Sequence, residues 1–173
     1  MTTVTQPLRD EHKELFPHIE QLRVVADMIG DAPVPVLIPA IDAAYDFLAH
    51  HLIPHAQAED RALYPVVGQV MGAPEAPDTM RRDHVEVGQL VQELAMIRPQ
   101  LSDAGLTDAQ TKALRRVLYG LYTLVKVHFA KEEEVYLPIL DARLGSEAAR
   151  EMFEAMEAAA REAKQQQRSL STN

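Results

Sequence analysis

Apolar residues recur at i, i+3, i+4 and i+7 along most of the chain, the spacing that gathers them on one face of an α-helix. Glycines fall mostly at the breaks of this pattern, in Ile29-Gly30-Asp31, Val70-Met71-Gly72 and Leu144-Gly145-Ser146. The pattern predicts an all-α chain. A first helix is expected from about Pro7 to Met28 with Leu8, Leu15, Ile19 and Leu22 on one stripe, and a second from about Val34 to Met71. Prolines at 39, 54 and 65 each remove a backbone donor from that second helix, so breaks are expected near Ala49–Leu52 and Arg61–Ala62. A third helix is expected from Asp78 to about Leu101. Thr107-Asp108-Ala109-Gln110 has the capping-box form and opens a fourth, which reaches about Leu144. Ser146 can cap a fifth helix with the stripe Ala149, Met152, Phe153, Met156 and Ala160, ending near 168 in a polar tail expected to fray.

The chain repeats itself. Aligning His12 with His84 also pairs Glu14 with Glu86, Leu15 with Val87, Ile19 with Val91 and Leu22 with Leu94, an offset of 72. Aligning His55 with His128 pairs Glu59 with Glu132, Asp60 with Glu133, Leu63 with Tyr136 and Pro65 with Pro138, an offset of 73. The sequence is a duplicated helical hairpin. Two such hairpins pack most simply as an antiparallel up-down four-helix bundle, here spanning about 7–144, with the fifth helix across an end or side. From His12 to the end of its helix is about 25 Å, and from the start of the next helix to His55 about 31 Å, at 1.5 Å per residue. The two histidines return to nearly the same level, as do His84 and His128. Four imidazoles can therefore share one layer of the interior, joined by Glu59 and Glu132, each one turn beyond its His on the same helix face.

Composition narrows what that layer can be. The 173 residues are 47% hydrophobic and 25% charged, which suits a single domain, 1–173, burying roughly 70% of its unfolded surface. A net charge of −9 disfavours a nucleic-acid partner, and the absence of cysteine leaves only nitrogen and oxygen donors for a metal. The N-terminus lacks an apolar signal-like core and no stretch offers 18–20 uninterrupted apolar residues, so a cytoplasmic chain without membrane contact is expected. Two buried carboxylates with no inward Lys or Arg would cost several kcal/mol each unless paired. Imidazoles and carboxylates suit iron and also serve manganese or zinc, and six protein ligands are too many for one tetrahedral zinc. Two metal ions, roughly 3.5–4 Å apart, account for all six.

His12, His55-Ala-Gln-Ala-Glu59, His84 and His128-Phe-Ala-Lys-Glu132, followed by Leu-Tyr-Pro and Tyr-Leu-Pro, resemble the hemerythrin-like, HHE cation-binding family over about residues 8–140. The resemblance implies a non-haem di-iron centre in which Glu59 and Glu132 bridge two irons together with an oxo or hydroxo group. His12 and His55 would complete one iron, and His84 and His128 the other. The ferritin-like alternative needs Glu-x-x-His, and no His here has Glu three residues before it. Glu133 rivals Glu132, because the family's oxygen carriers place a carboxylate five residues after the matching His; Glu132 preserves the duplication.

The invertebrate carriers also have a further His one turn after the third ligand, where this chain has Gly88. With each iron five-coordinate, the resemblance implies redox chemistry on a small diatomic or peroxide ligand, with catalase-like disproportionation of hydrogen peroxide as the leading expectation. Reversible O2 carriage, or iron, O2 or NO sensing without turnover, is the alternative. Tyr45 and Tyr122, upstream on the ligand-bearing helices, could hydrogen-bond a bound oxygen species, and His51 could act as a further ligand or as a supporting donor. Phe16, Phe129 and Leu63 are expected as the apolar wall, His18 and His50 at the surface, and two of Glu132, Glu133 and Glu134 on a solvated face.

Overall fold

The protein is described from a computed structural model covering residues 3–170, with side chains through 166. Among these residues five helices form, and no strand: α1 (Gln6–Met28), α2 (Val34–Met71), α3 (Asp78–Ile97), α4 (108–143) and α5 (Ser146–Leu170). Helix α3 tightens at its end into the 3₁₀ turn Arg98–Gln100. In α4, Thr107 accepts a hydrogen bond from the Gln110 amide while the Gln110 side chain accepts from the Thr107 amide, the capping box expected there. The polar run after Gln165, expected to fray, continues the helix to Leu170.

Helix α1 packs on α2 and α4, and α3 on α4 and α2, which closes an antiparallel four-helix bundle. Helix α5 lies along the side of α2, against 53–63. A window of α2 matches a membrane span in length and composition, with a mean hydropathy of 1.3. Its buried side chains, from Leu37 and Ile41 to Phe47, Leu48 and Leu52, instead join the bundle core.

Prolines shape α2 and α4. A proline ring clashes with the carbonyl four residues back and cannot donate to it, so the turn before it widens. Ile53, just before Pro54, donates to the Leu48 carbonyl, five residues back. Tyr64, before Pro65, donates to Glu59 in the same way, and Leu137, before Pro138, donates to Glu132. The three resulting π-turns are Leu48–Leu52, Glu59–Leu63 and Glu132–Tyr136. The expected breaks in α2 thus take the form of wide turns within a continuous helix, and α4 carries the counterpart at Pro138. Glu59 and Glu132 each stand at the first residue of such a turn.

The core has two apolar clusters. One is built on Leu15, Ile19, Leu22, Leu48, Leu94, Leu118 and Val125. The other is built on Leu8, Leu63, Tyr64, Met80, Leu137 and Leu140, and α5 adds Met152 and Met156. Between the two lies a buried polar layer of His12, His55, Glu59, His128 and Glu132, with the side chain of His84 beside it.

Candidate metal centre

The layer takes one residue from α1, two from α2, one from α3 and two from α4. Its imidazoles turn Nε2 inward onto the two carboxylates. Glu59 Oε1 lies 3.0 Å from His55 Nε2 and 3.8 Å from His12 Nε2, while its Oε2 lies 3.3 Å from His84 Nε2 and 3.9 Å from His128 Nε2. Glu132 spans the same gap, with Oε2 3.4 Å from His12 Nε2 and Oε1 3.5 Å from His128 Nε2. Donor atoms of His12, His55 and Glu59 converge within 4.8 Å of one another, as do those of Glu59, His84 and His128.

Five buried atoms facing this centre have no hydrogen-bond partner among the described residues: Nε2 of His12 and of His55, both oxygens of Glu59, and Oε2 of Glu132. Leaving so many buried polar atoms unsatisfied costs free energy that a cation shared among them would recover. The donor set is all nitrogen and carboxylate oxygen, which suits iron, manganese or zinc.

Each imidazole also turns its Nδ1 toward a carboxylate, in hydrogen-bond geometry for His12, His84 and His128 and at ion-pair distance alone for His55. His12 Nδ1 lies 2.8 Å from Glu133 Oε1, His55 Nδ1 3.1 Å from Glu11 Oε1, His84 Nδ1 3.0 Å from Asp60 Oδ1, and His128 Nδ1 3.0 Å from Asp83 Oδ2. Such carboxylates fix ring orientation, favour the proton on Nδ1 and leave Nε2 free to ligate. Glu133 therefore serves as the partner of His12, as does Asp60 of His84 at the position that the duplication pairs with it. Arg9 holds Glu133 in an ion pair and reaches Asp141 at 3.1 Å, and Asp141 accepts from the amide and hydroxyl of the buried Thr5. Lys131 pairs with Asp83.

The same groups set the protonation of the metal-free layer. Burial disfavours charge on His55, but the Glu59 and Glu11 carboxylates outweigh it and hold its pKa well above the ordinary value. Burial is likewise overcome at His128, where Glu132 and Glu59 push the imidazole up to about 10. His12 and His84 are raised against burial too, by Glu59 with Glu132 and by Asp60 with Glu59. For Glu59, burial favours the neutral acid, yet His55, His12 and His128 hold its carboxyl well below the usual range.

The aromatic expectations need correction. Tyr122 donates to Glu20 at 3.3 Å, and Tyr45 lies under the Arg98 guanidinium in the α2/α3 groove that His84 also lines; neither hydrogen-bonds a residue of the layer in this structure. The residue that reaches it is Tyr64, whose hydroxyl donates to Glu132 Oε1 at 2.8 Å and lies 3.1 Å from His128 Nε2. Burial and the two carboxylates raise its pKa. Tyr64 follows Glu59 by five residues, the step a π-turn brings onto one face, so the Tyr-Pro pair after the ligand was the signal for it. His51 is exposed and touches Phe47 in place of the site, and His18 and His50 are exposed as expected. Phe129 does form the wall, stacked on His12 with centroids 4.2 Å apart. Phe16, 39% exposed, does not, and Leu63 belongs to the cluster on the far side. At Gly88 a Cβ would meet nothing within 4 Å.

A family model, the hemerythrin HHE cation binding domain, matches residues 3–140. Comparison with curated proteins and with solved structures gives no match. The matched span takes in the bundle up to residue 140 of α4 and every residue of the layer, and cation binding is what the orphaned atoms at its centre call for. The chain belongs to the hemerythrin HHE cation-binding family.

Proposed function

We propose that this chain is a four-histidine, non-haem di-iron protein that disproportionates hydrogen peroxide. His12 and His55 would hold one iron, His84 and His128 the other, with Glu59 and Glu132 shared between them. Such a pair supplies two electrons to one peroxide, which becomes two waters, and recovers two from a second, which becomes O2. The observation that carries the reading is the equal provision for the two ions. Each has two imidazoles and the same two carboxylates, and the place where a fifth histidine would saturate one of them is Gly88, with open space around it.

The protein's own groups do the rest. Leu52, Val87, Val125 and Phe129 line a cavity against His55, Glu59, His84 and His128 and limit water around the donors. Tyr64 keeps a proton on its hydroxyl, directed at Glu132 and within reach of the layer, where reduction of peroxide consumes protons. The four outer carboxylates keep the imidazoles aimed inward.

The test is oxygen evolution from peroxide by protein loaded with two equivalents of iron. A rate no greater than that of free iron overturns the reading. Reversible O2 carriage is the second reading. Exposing the reduced protein to air and then to vacuum separates the two: a spectrum that reverts indicates carriage, and one that stays oxidised indicates turnover.

A further inference from the structure

The duplication gives each half of the bundle an internal control, because the groove between α1 and α4 is the counterpart of the groove between α3 and α2. Each leads to the first histidine of a hairpin: His12 lies in one and His84 in the other. The carboxylate partners Glu133 and Asp60 also correspond, and each lines its groove. The ligands and their supports are thus alike on the two sides.

The covering residues differ. Phe16 lines the α1/α4 groove, and the offset of 72 places Gly88 at its counterpart in the α2/α3 groove. Phe129 forms the floor of the first groove, and the offset of 73 places Ala56 at its counterpart in the second. The Phe129 ring stacks on His12 at 4.2 Å and also reaches His55, so it seals that side. Lys126 stands over the Phe16 ring at 5.8 Å and adds a second cover. On the opposite side the one ring that lines the groove is Tyr45, three helical turns before Ala56 and held under the Arg98 guanidinium. Ala56 and His84 line both the α2/α3 groove and the inner cavity, so the two spaces share a wall of one methyl group and one imidazole edge. Helix α3 is open at Gly88, directly above.

We propose that, of the two duplicated grooves, only the one between α2 and α3 admits small ligands to the centre, over Gly88 and Ala56, and that Gly88 sets the size of what passes. The route rests on the dinuclear reading above. It admits a ligand of two or three heavy atoms, such as peroxide, and selects against a branched organic peroxide.

The test introduces at one groove the residue found at the other. Gly88→Phe should close the route, and Phe16→Gly serves as the reciprocal control. Two rates are measured. The first is azide association with the iron-loaded protein, followed by its absorption change. The second needs no metal: because the chain has no cysteine, Val87→Cys places a single thiol in the inner cavity, and its oxidation by hydrogen peroxide to the sulfenic acid, with release of water, reports access in the metal-free protein. Gly88→Phe should slow both rates at least tenfold, and Phe16→Gly should leave both within twofold. An unfolded Gly88→Phe is replaced by Gly88→Leu, with the folded state checked by circular dichroism. The route is overturned if the closing variant leaves thiol modification within twofold, or if Phe16→Gly accelerates it. A protein that never takes up iron refutes the dinuclear reading instead, and the thiol experiment still decides where the cavity opens.

Discussion

Glu132 and Glu133 are adjacent in sequence, and substituting each in turn tests how the layer works. Glu132 is fully buried and reaches both halves of the centre, at 3.4 Å from His12 Nε2 and 3.5 Å from His128 Nε2. Glu133 is 31% exposed and touches only the outer nitrogen of His12, with Arg9 behind it. Replacing Glu133 by Gln removes a charge that orients one imidazole, a change that typically costs 10–100-fold in metal affinity, or about 1.4–2.8 kcal/mol. Replacing Glu132 by Gln leaves cations on both sides short of a buried counter-charge, which costs about 3–5 kcal/mol, roughly two to four decades in affinity. Anaerobic competition between protein and a chromogenic chelator for ferrous iron, with metal per chain counted at saturation, separates the cases. Glu133→Gln should still bind two ions, only the one on the His12 side more weakly, whereas Glu132→Gln should weaken both. Equal losses in the two variants, or the larger loss in Glu133→Gln, would refute the assignment of bridging and supporting roles.

Tyr64→Phe deprives the buried Glu132 of its donor, so the metal-free protein should lose roughly 1–3 kcal/mol, about 2–4 °C of melting temperature per kcal/mol; an unchanged midpoint would show that the hydrogen bond contributes nothing. Thr107→Ala breaks the capping box of α4 at the end remote from the ligands, and should cost about 1 kcal/mol in denaturant unfolding while leaving metal content untouched. The four raised imidazoles bind protons more tightly in the folded state than in the unfolded one. They therefore stabilise the metal-free fold most fully below the ordinary value of 6.5, and that contribution fades as pH rises toward about 10, the value for His128. A metal must displace those protons, so its thermal stabilisation should grow between pH 6 and 9 as the metal-free midpoint falls. Calorimetry with and without metal checks this, and a metal-induced increment that shrinks with pH contradicts it.

The six residues of the layer were legible because the duplication supplies each with a partner at a fixed offset, and helix length alone returns the paired histidines to one level. The capping box and the breaks before Pro54 and Pro65 were legible for similarly local reasons. The supporting carboxylates were not. Glu11 precedes His12 yet lies against His55, and Asp83 precedes His84 yet lies against His128. Sequence adjacency names the wrong histidine in both cases, because a helix turns neighbouring side chains about 100° apart. Tyr64 escaped for a different reason. On α-helical spacing it sits off the face of Glu59, and only the extra residue in the turn before Pro65 brings it round. Tyr45 and Tyr122 lie on the right helices, but Tyr122 turns out to Glu20 and Tyr45 to Arg98. Phe16 has the helical phase of His12 and still faces outward, since Phe129 already fills the space against that imidazole.

The outer carboxylates link the hairpins more tightly than the ligands alone do. The first histidine of each hairpin is supported from the other hairpin, His12 by Glu133 and His84 by Asp60. The second histidine is supported from its own, His55 by Glu11 and His128 by Asp83. Neither hairpin by itself can orient both of its imidazoles, so an ordered layer requires the hairpins to have docked. Ligands and supports match between the halves in chemical type, carboxylate for carboxylate and imidazole for imidazole. Where the halves differ at the layer itself, at Tyr64 against Leu137 and Phe129 against Ala56, the residues are ones that donate a proton or block a path. On the reading proposed above the grip on the cations is symmetric, while proton supply and access are one-sided: the tyrosine hydroxyl meets His128 and the α2/α3 groove meets His84, on the same half of the layer.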